Sequence, residues 1–223
     1  NTTASNNTAV GYQAAYSNTT GIANVGLGAY ALQLNTTGNY NTALGYNAGN
    51  AITTGLYNVA IGANALDVST TANSNIGIGV NALGSTTTGA ENVAMGLNAL
   101  LTNTTGASNV GIGTYALNSN TTSSSNVAVG YQTLYSMSAT GDANKSTAVG
   151  YQAGYNSTHN VDAFGAQALY SNTTGVLSVA MGREALYSNT TGSYNTAIGY
   201  QAGFFITTGT KNTVLGRYNG NQG

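Results

Sequence analysis

One unit, repeated from end to end, limits what this chain can fold into more than any other feature. The glycine of the pattern N-[TV]-A-[VIL]-G falls at Gly11, Gly28, Gly45, Gly62, Gly79, Gly96, Gly113, Gly130, Gly150, Gly165, Gly182, Gly199 and Gly216. The intervals are 17 residues seven times, then 20, then 15, then 17 three times. Segments 41–55 (NTALGYNAGNAITTG) and 195–209 (NTAIGYQAGFFITTG) are near copies. A unit this short cannot bury its own apolar face. Stacking it on its neighbours can, which is the logic of a solenoid.

Alternation within the unit points to strands. The position before the glycine is large and apolar in every copy: Val10, Leu27, Leu44, Ile61, Ile78, Met95, Ile112, Val129, Val149, Phe164, Met181, Ile198 and Leu215. Two residues earlier stands Val, Thr or Ile, except at Asp162. Between them lies Ala or Gly in twelve of thirteen copies. Period-two alternation of this kind is a strand signal. The bulky column is expected to be the core, with Ile112 held between Met95 and Val129. On that basis Ile112→Asp should be the most damaging change, then Gly113→Val, both far above Thr105→Ala. The small-residue face is expected to admit a second chain. A-L-Y-S is read as a second short strand, and N-T-T-G supplies the turn.

The predicted fold is therefore all-β, a parallel β-solenoid of thirteen coils of about 17 residues, forming one repetitive domain over 1–223. A helix is excluded by a Gly or Asn every few residues, and collagen by the wrong glycine period and the absence of Pro. The column Asn7, Asn24, Asn41, Asn58, Asn75, Asn92, Asn109, Asn126, Asn195 and Asn212 is expected to carry amide hydrogen bonds from coil to coil. Stacking also explains why only 4% of residues are charged, since a charge repeated in every coil would repel itself.

Composition excludes several functions. Four Lys+Arg cannot build a nucleic-acid footprint. The absence of Cys removes disulfides and thiolate metal sites, and no apolar run is long enough for a helical membrane span.

The strings NTAVGYQ, ALYSNTTG and NTAIGYQAG resemble the repeats of bacterial surface and phage tail-fibre proteins. They are also similar to the shorter N-S-V-A-I-G head repeat of trimeric autotransporter adhesins. The resemblance covers nearly the whole chain. It implies a left-handed β-roll, a homotrimer, an extracellular or virion-surface location and a role in attachment, and it brings no catalytic residue. Asn1-Thr2-Thr3 matches the turn at Asn18-Thr19-Thr20, and the last residues stop at the corresponding point, which predicts a segment of a longer fibre.

Other chemistry is thinly represented. His159, Asp162 and Ser157 share one irregular turn without a nucleophile elbow, so no catalytic triad is expected. The five Asp+Glu occupy different phases of the repeat, and no metal or cofactor site is predicted. The Thr doublets offer an alternative function, ice binding by ranks of hydroxyls, although adjacent Thr in a strand would point to opposite faces. The sixteen Tyr are read first as ladders covering a thin core and second as a glycan-binding surface. The break in period between Gly130 and Gly165 is the candidate contact loop, with Met137, Asp142, Lys145 and His159. The expected partners are copies of the chain itself and a cell-surface glycan or protein receptor.

Overall fold

The computed structural model describes residues 3–138 and 145–217. Two compact units, residues 1–109 and 110–223, are each a stack of coils. The first contains β1 (Thr8–Val10), β2 (Val25–Leu27), β3 (Thr42–Leu44), β4 (Val59–Ile61), β5 (Ile76–Ile78) and β6 (Val93–Met95). The second contains β7 (Val110–Ile112), β8 (Val127–Val129), β9 (Thr147–Val149), β10 (Val161–Phe164), β11 (Ser178–Met181), β12 (Thr196–Ile198) and β13 (Thr213–Leu215). Within each unit successive strands pair in parallel, and no helix occurs among the described residues. The protein is an all-β parallel solenoid, as the period requires.

Register holds through the irregular segment. Ordinary coils pair residue i with i+17, as in Thr42↔Val59. Across the break, Val127 pairs with Thr147 and Thr147 with Asp162. The insertion and the deletion are both absorbed outside the strands.

The inside of the coil is the small-residue face, which reverses the expectation for the bulky column. Ala43, Ala60, Ala94, Ala128, Ala148, Ala163, Ala180 and Ala197 are at most 1% exposed. Ile112 is 36% exposed, Leu44 48% and Met181 45%, and Val10, Met95, Val149, Ile198 and Leu215 are exposed as well. Leu27, Ile61, Ile78, Val129 and Phe164 are half-buried. The cause is the narrowness of the coil. A Cβ added at Gly77 would lie 3.1 Å from the carbonyl oxygen of Ala82 on the opposite wall and 3.4 Å from Leu66 Cγ. A methyl group fills that gap and a β-branched side chain does not. The apolar filling comes instead from Leu32, Leu66, Leu83 and Leu100 in the first unit, and from Leu117, Leu134, Leu169 and Leu186 in the second, all fully buried.

Those leucines belong to the segment expected to be a second strand. It is a run of turns. Left-handed residues alternate along it, as at Tyr30 (φ 62°) and Leu32 (φ 52°). Such a φ costs an L residue about 1–2 kcal/mol. It is held by hydrogen bonds to both neighbouring coils: Tyr30 N–H donates to Tyr12 O at 2.9 Å and Leu32 N–H to Ala48 O at 3.1 Å. In three coils glycine takes the leucine position, at Gly49, Gly154 and Gly203. Another apolar side chain then fills the space. A Cβ on Gly49 would lie 3.0 Å from Ile52 Cδ1, and one on Gly203 would lie 3.1 Å from Ile206 Cδ1. Beside Gly154 the filler is Val161, 3.6 Å from the added atom.

Two asparagine columns tie coil to coil. In the first, Asn58 N–H donates to Asn41 Oδ1 at 2.9 Å, and Asn58 Nδ2 donates to Ala72 O at 2.8 Å. The second column is the Asn of N-T-T-G and reaches the same turn carbonyls. Asn7 and Asn18 both donate to Gly21 O, at 2.8 and 3.0 Å. Each column covers gaps in the other. Where the second has Ile52, Asn41 reaches Gly55 O at 2.7 Å. Where the first has Val161 and Ser178, Asn172 reaches Gly175 O and Asn189 reaches Gly192 O, both at 2.9 Å. At those two positions the backbone ladder itself extends, making β10 and β11 four residues long. Buried polar groups rarely stay unpaired, and this redundancy is how the repeat tolerates substitution.

Candidate contact surfaces

The sheet face carries two outward columns, one of mixed Val, Ile and Thr and one large and apolar. In the first unit these are Thr8, Val25, Thr42, Val59, Ile76 and Val93, beside Val10, Leu27, Leu44, Ile61, Ile78 and Met95. The second unit repeats the arrangement, with Asp162 as the charged member of its outer face. Isolated apolar residues on a surface are ordinary, but a contiguous apolar strip marks an interaction surface.

The N-T-T-G turns present threonine differently from a flat array. The first Thr of a doublet uses its hydroxyl within the ladder: Thr36 Oγ1 donates to Thr53 O at 3.1 Å and Thr173 Oγ1 to Thr190 O at 3.0 Å. The second Thr, as at Thr37, Thr54 and Thr105, is exposed. One open rank on a turn remains, without the paired ranks that a T-x-T strand provides.

Aromatic rings form columns as well. In the second unit Tyr135–Tyr155, Tyr155–Tyr170 and Tyr170–Tyr187 stack with centroids 5.2 Å apart, and Tyr187–Phe204 with 5.0 Å. Their planes are within 11° of parallel. The ring faces are therefore taken up by one another. Beside them runs an amide column, in which Gln152 Nε2 donates to Gln132 Oε1 at 2.8 Å and Gln167 Nε2 to Gln152 Oε1 at 3.2 Å. Glu184 occupies one place in it and accepts from Gln201 Nε2 at 2.7 Å. This bond, with the adjacent Arg183 assisting, lowers the Glu184 carboxyl below its usual range. Burial, then the like charges that Tyr135, Tyr170 and Tyr131 would carry, raise the Tyr155 phenol. An acid with a raised pKa in the folded state binds its proton more tightly there, so stability is lost as pH climbs past the ordinary phenol range. Alkaline titration followed by circular dichroism should show unfolding that sets in as tyrosine ionises. Tyr155→Phe should move that onset to higher pH.

The irregular segment is less of a loop than its sequence suggests. Met137 is fully buried, which removes it from the contact-loop set. It occupies an N-T-T-G asparagine position and turns inward to fill the coil. Asp142 lies outside the described residues. Lys145 is exposed, with its N–H donating to Asn160 Oδ1 at 3.1 Å. His159 is half-buried; its Nδ1 lies 2.8 Å from Thr158 Oγ1, and its carbonyl accepts from Ser146 Oγ at 3.4 Å. Lys145 and Asp162, with Asn160, Val161, Leu177 and Ser178, line a cleft of about 240 Å³. His159 and Met137 are not part of it. Ser157 is buried and its Oγ accepts from Asn172 Nδ2 at 3.3 Å, so the serine, imidazole and carboxylate of this turn do not converge.

Among the described residues no three His, Cys, Asp or Glu side chains gather as a metal site would require, and no helix is long and apolar enough to cross a membrane. The chain matches no protein-family model, no curated protein and no solved structure.

Proposed function

We propose that this chain is a non-enzymatic shaft segment of an extracellular fibre, which assembles side by side with copies of itself and serves attachment. The carrying observation is the large apolar column on the sheet face, with the mixed Val, Ile and Thr column beside it. Every coil offers one large apolar side chain at the same place, beside a Val, Ile or Thr except at Asp162, so a second copy presents a face with matching spacing and almost no charge. Covering Leu44 or Met181, both more than a third exposed, removes apolar surface from water at roughly 25 cal/mol per Å². The resemblance to tail-fibre and adhesin repeats supports a trimer on a cell or virion surface.

Light scattering on the chain tests assembly directly. The expected mass is a multiple of the 22.4 kDa chain, most simply three. Leu44→Asp combined with Met181→Asp should return a folded monomer. A wild-type chain that stays monomeric at micromolar concentration and melts cooperatively would overturn the proposal.

A further inference from the structure

The tyrosine ladder is confined to one stretch. In the second unit one repeat position holds Asn118 and then Tyr135, Tyr155, Tyr170, Tyr187 and Phe204 in successive coils. In the first unit that position holds Tyr16, Gln33, Asn50, Asp67, Gly84 and Leu101, so the ladder is not a demand of the fold. All five ring-bearing residues are half-buried. No phenol hydroxyl of the four tyrosines hydrogen-bonds to another described residue. Stacking at 5.2 Å spends the ring faces on one another and leaves the hydroxyls at an even step along the coil axis.

We propose that this row of phenol hydroxyls binds a linear β-1,4-linked polysaccharide lying along the coil axis, one sugar to one coil. An extended β-1,4-linked chain advances by the length of one pyranose ring per sugar, which is commensurate with the ring-to-ring step of the ladder. Each sugar carries hydroxyls along its edge, and each coil offers a phenol able to donate and to accept. An α-linked glucan coils and loses step after a few sugars. The rings are already stacked on one another without the ligand, so ordering costs little on the protein side. This rests on reading the chain as an attachment shaft and names what it attaches to.

Retention of the full chain on insoluble cellulose and on chitin, with granular starch as the α-linked comparison, tests it. The two β-linked supports separate a plain glucan from an N-acetylated one. Wild type should bind at least one of them and not starch. Tyr155→Phe/Tyr170→Phe keeps the stack, loses two hydroxyls, and should weaken binding about tenfold with melting unchanged. Failure of wild type to bind either β-linked support, equal binding to starch, or undiminished binding by the Phe variant would each overturn the proposal. The mass by light scattering does not depend on these hydroxyls, so a failure here leaves the self-assembly proposal standing.

Discussion

Gly113→Val is expected to destabilise residues 110–223 severely, while its neighbour Ile112→Asp leaves that unit close to wild-type stability. Gly113 has φ +128°, outside the range of β-branched residues, and a Cβ there would run into the backbone carbonyl of Gly130. The obstacle is backbone on the next coil, so no side chain can move aside. Its counterpart Gly62 shows the same conflict, with an added Cβ 2.6 Å from the oxygen of Gly79. Backbone strain plus overlap places the loss above about 4 kcal/mol, in the class reserved for a specific structural failure. A drop of more than about 15 °C in melting temperature is the corresponding readout. Ile112, 36% exposed, should tolerate Asp for under about 1 kcal/mol in the dissociated chain. The order anticipated from alternation alone is thus inverted, and thermal melts of the two variants at low concentration decide it.

The second large effect is a coupled pair. Gly49→Leu should destabilise by about 2–4 kcal/mol, combining overpacking with a left-handed leucine. The new side chain meets Ile52 Cδ1 and Leu32 Cδ2, which lie 3.0 and 3.1 Å from the added Cβ alone. Ile52→Asn should cost about the same, because it empties the space that Ile52 fills. The double variant restores the Leu–Asn pairing that its neighbour has at Leu32 and Asn35, and should return to within about 1 kcal/mol of wild type. A specific gain helps it. Asn35 Oδ1 is buried without a partner, and an asparagine at 52 would stand where its amide can donate to it. Two single losses that simply add in the double variant would show that the two positions are not packed against each other.

Much of this architecture is written in the residues. The glycine interval fixes the coil, N-T-T-G marks the turn, and the Asn7-to-Asn109 column is the hydrogen-bonded ladder its regularity implies. Inside and outside are not written there. Alternation states that two faces differ, and the habit of placing large residues inward chooses between them. That habit fails here because the wall opposite the strand is only a methyl group away. The leucine of A-L-Y-S was visible as an apolar residue, but its role as core filler depends on left-handed backbone that no propensity scale favours. Met137 belonged to an asparagine column by spacing alone, and the interrupted period drew attention away from it. The tyrosine ladder was legible as a column; that its rings face one another is a property of stacking distance.

The strands' indifference to what happens between them has an evolutionary reading. Three residues are added before one strand and two are removed before the next, and Val127, Thr147 and Asp162 still meet in register. A recombination event between near-identical stretches such as 41–55 and 195–209 would delete or duplicate whole coils without disturbing a single pairing. Length in such a protein is a countable trait, changed one coil at a time, and a lineage can lengthen or shorten it without first inventing a new core.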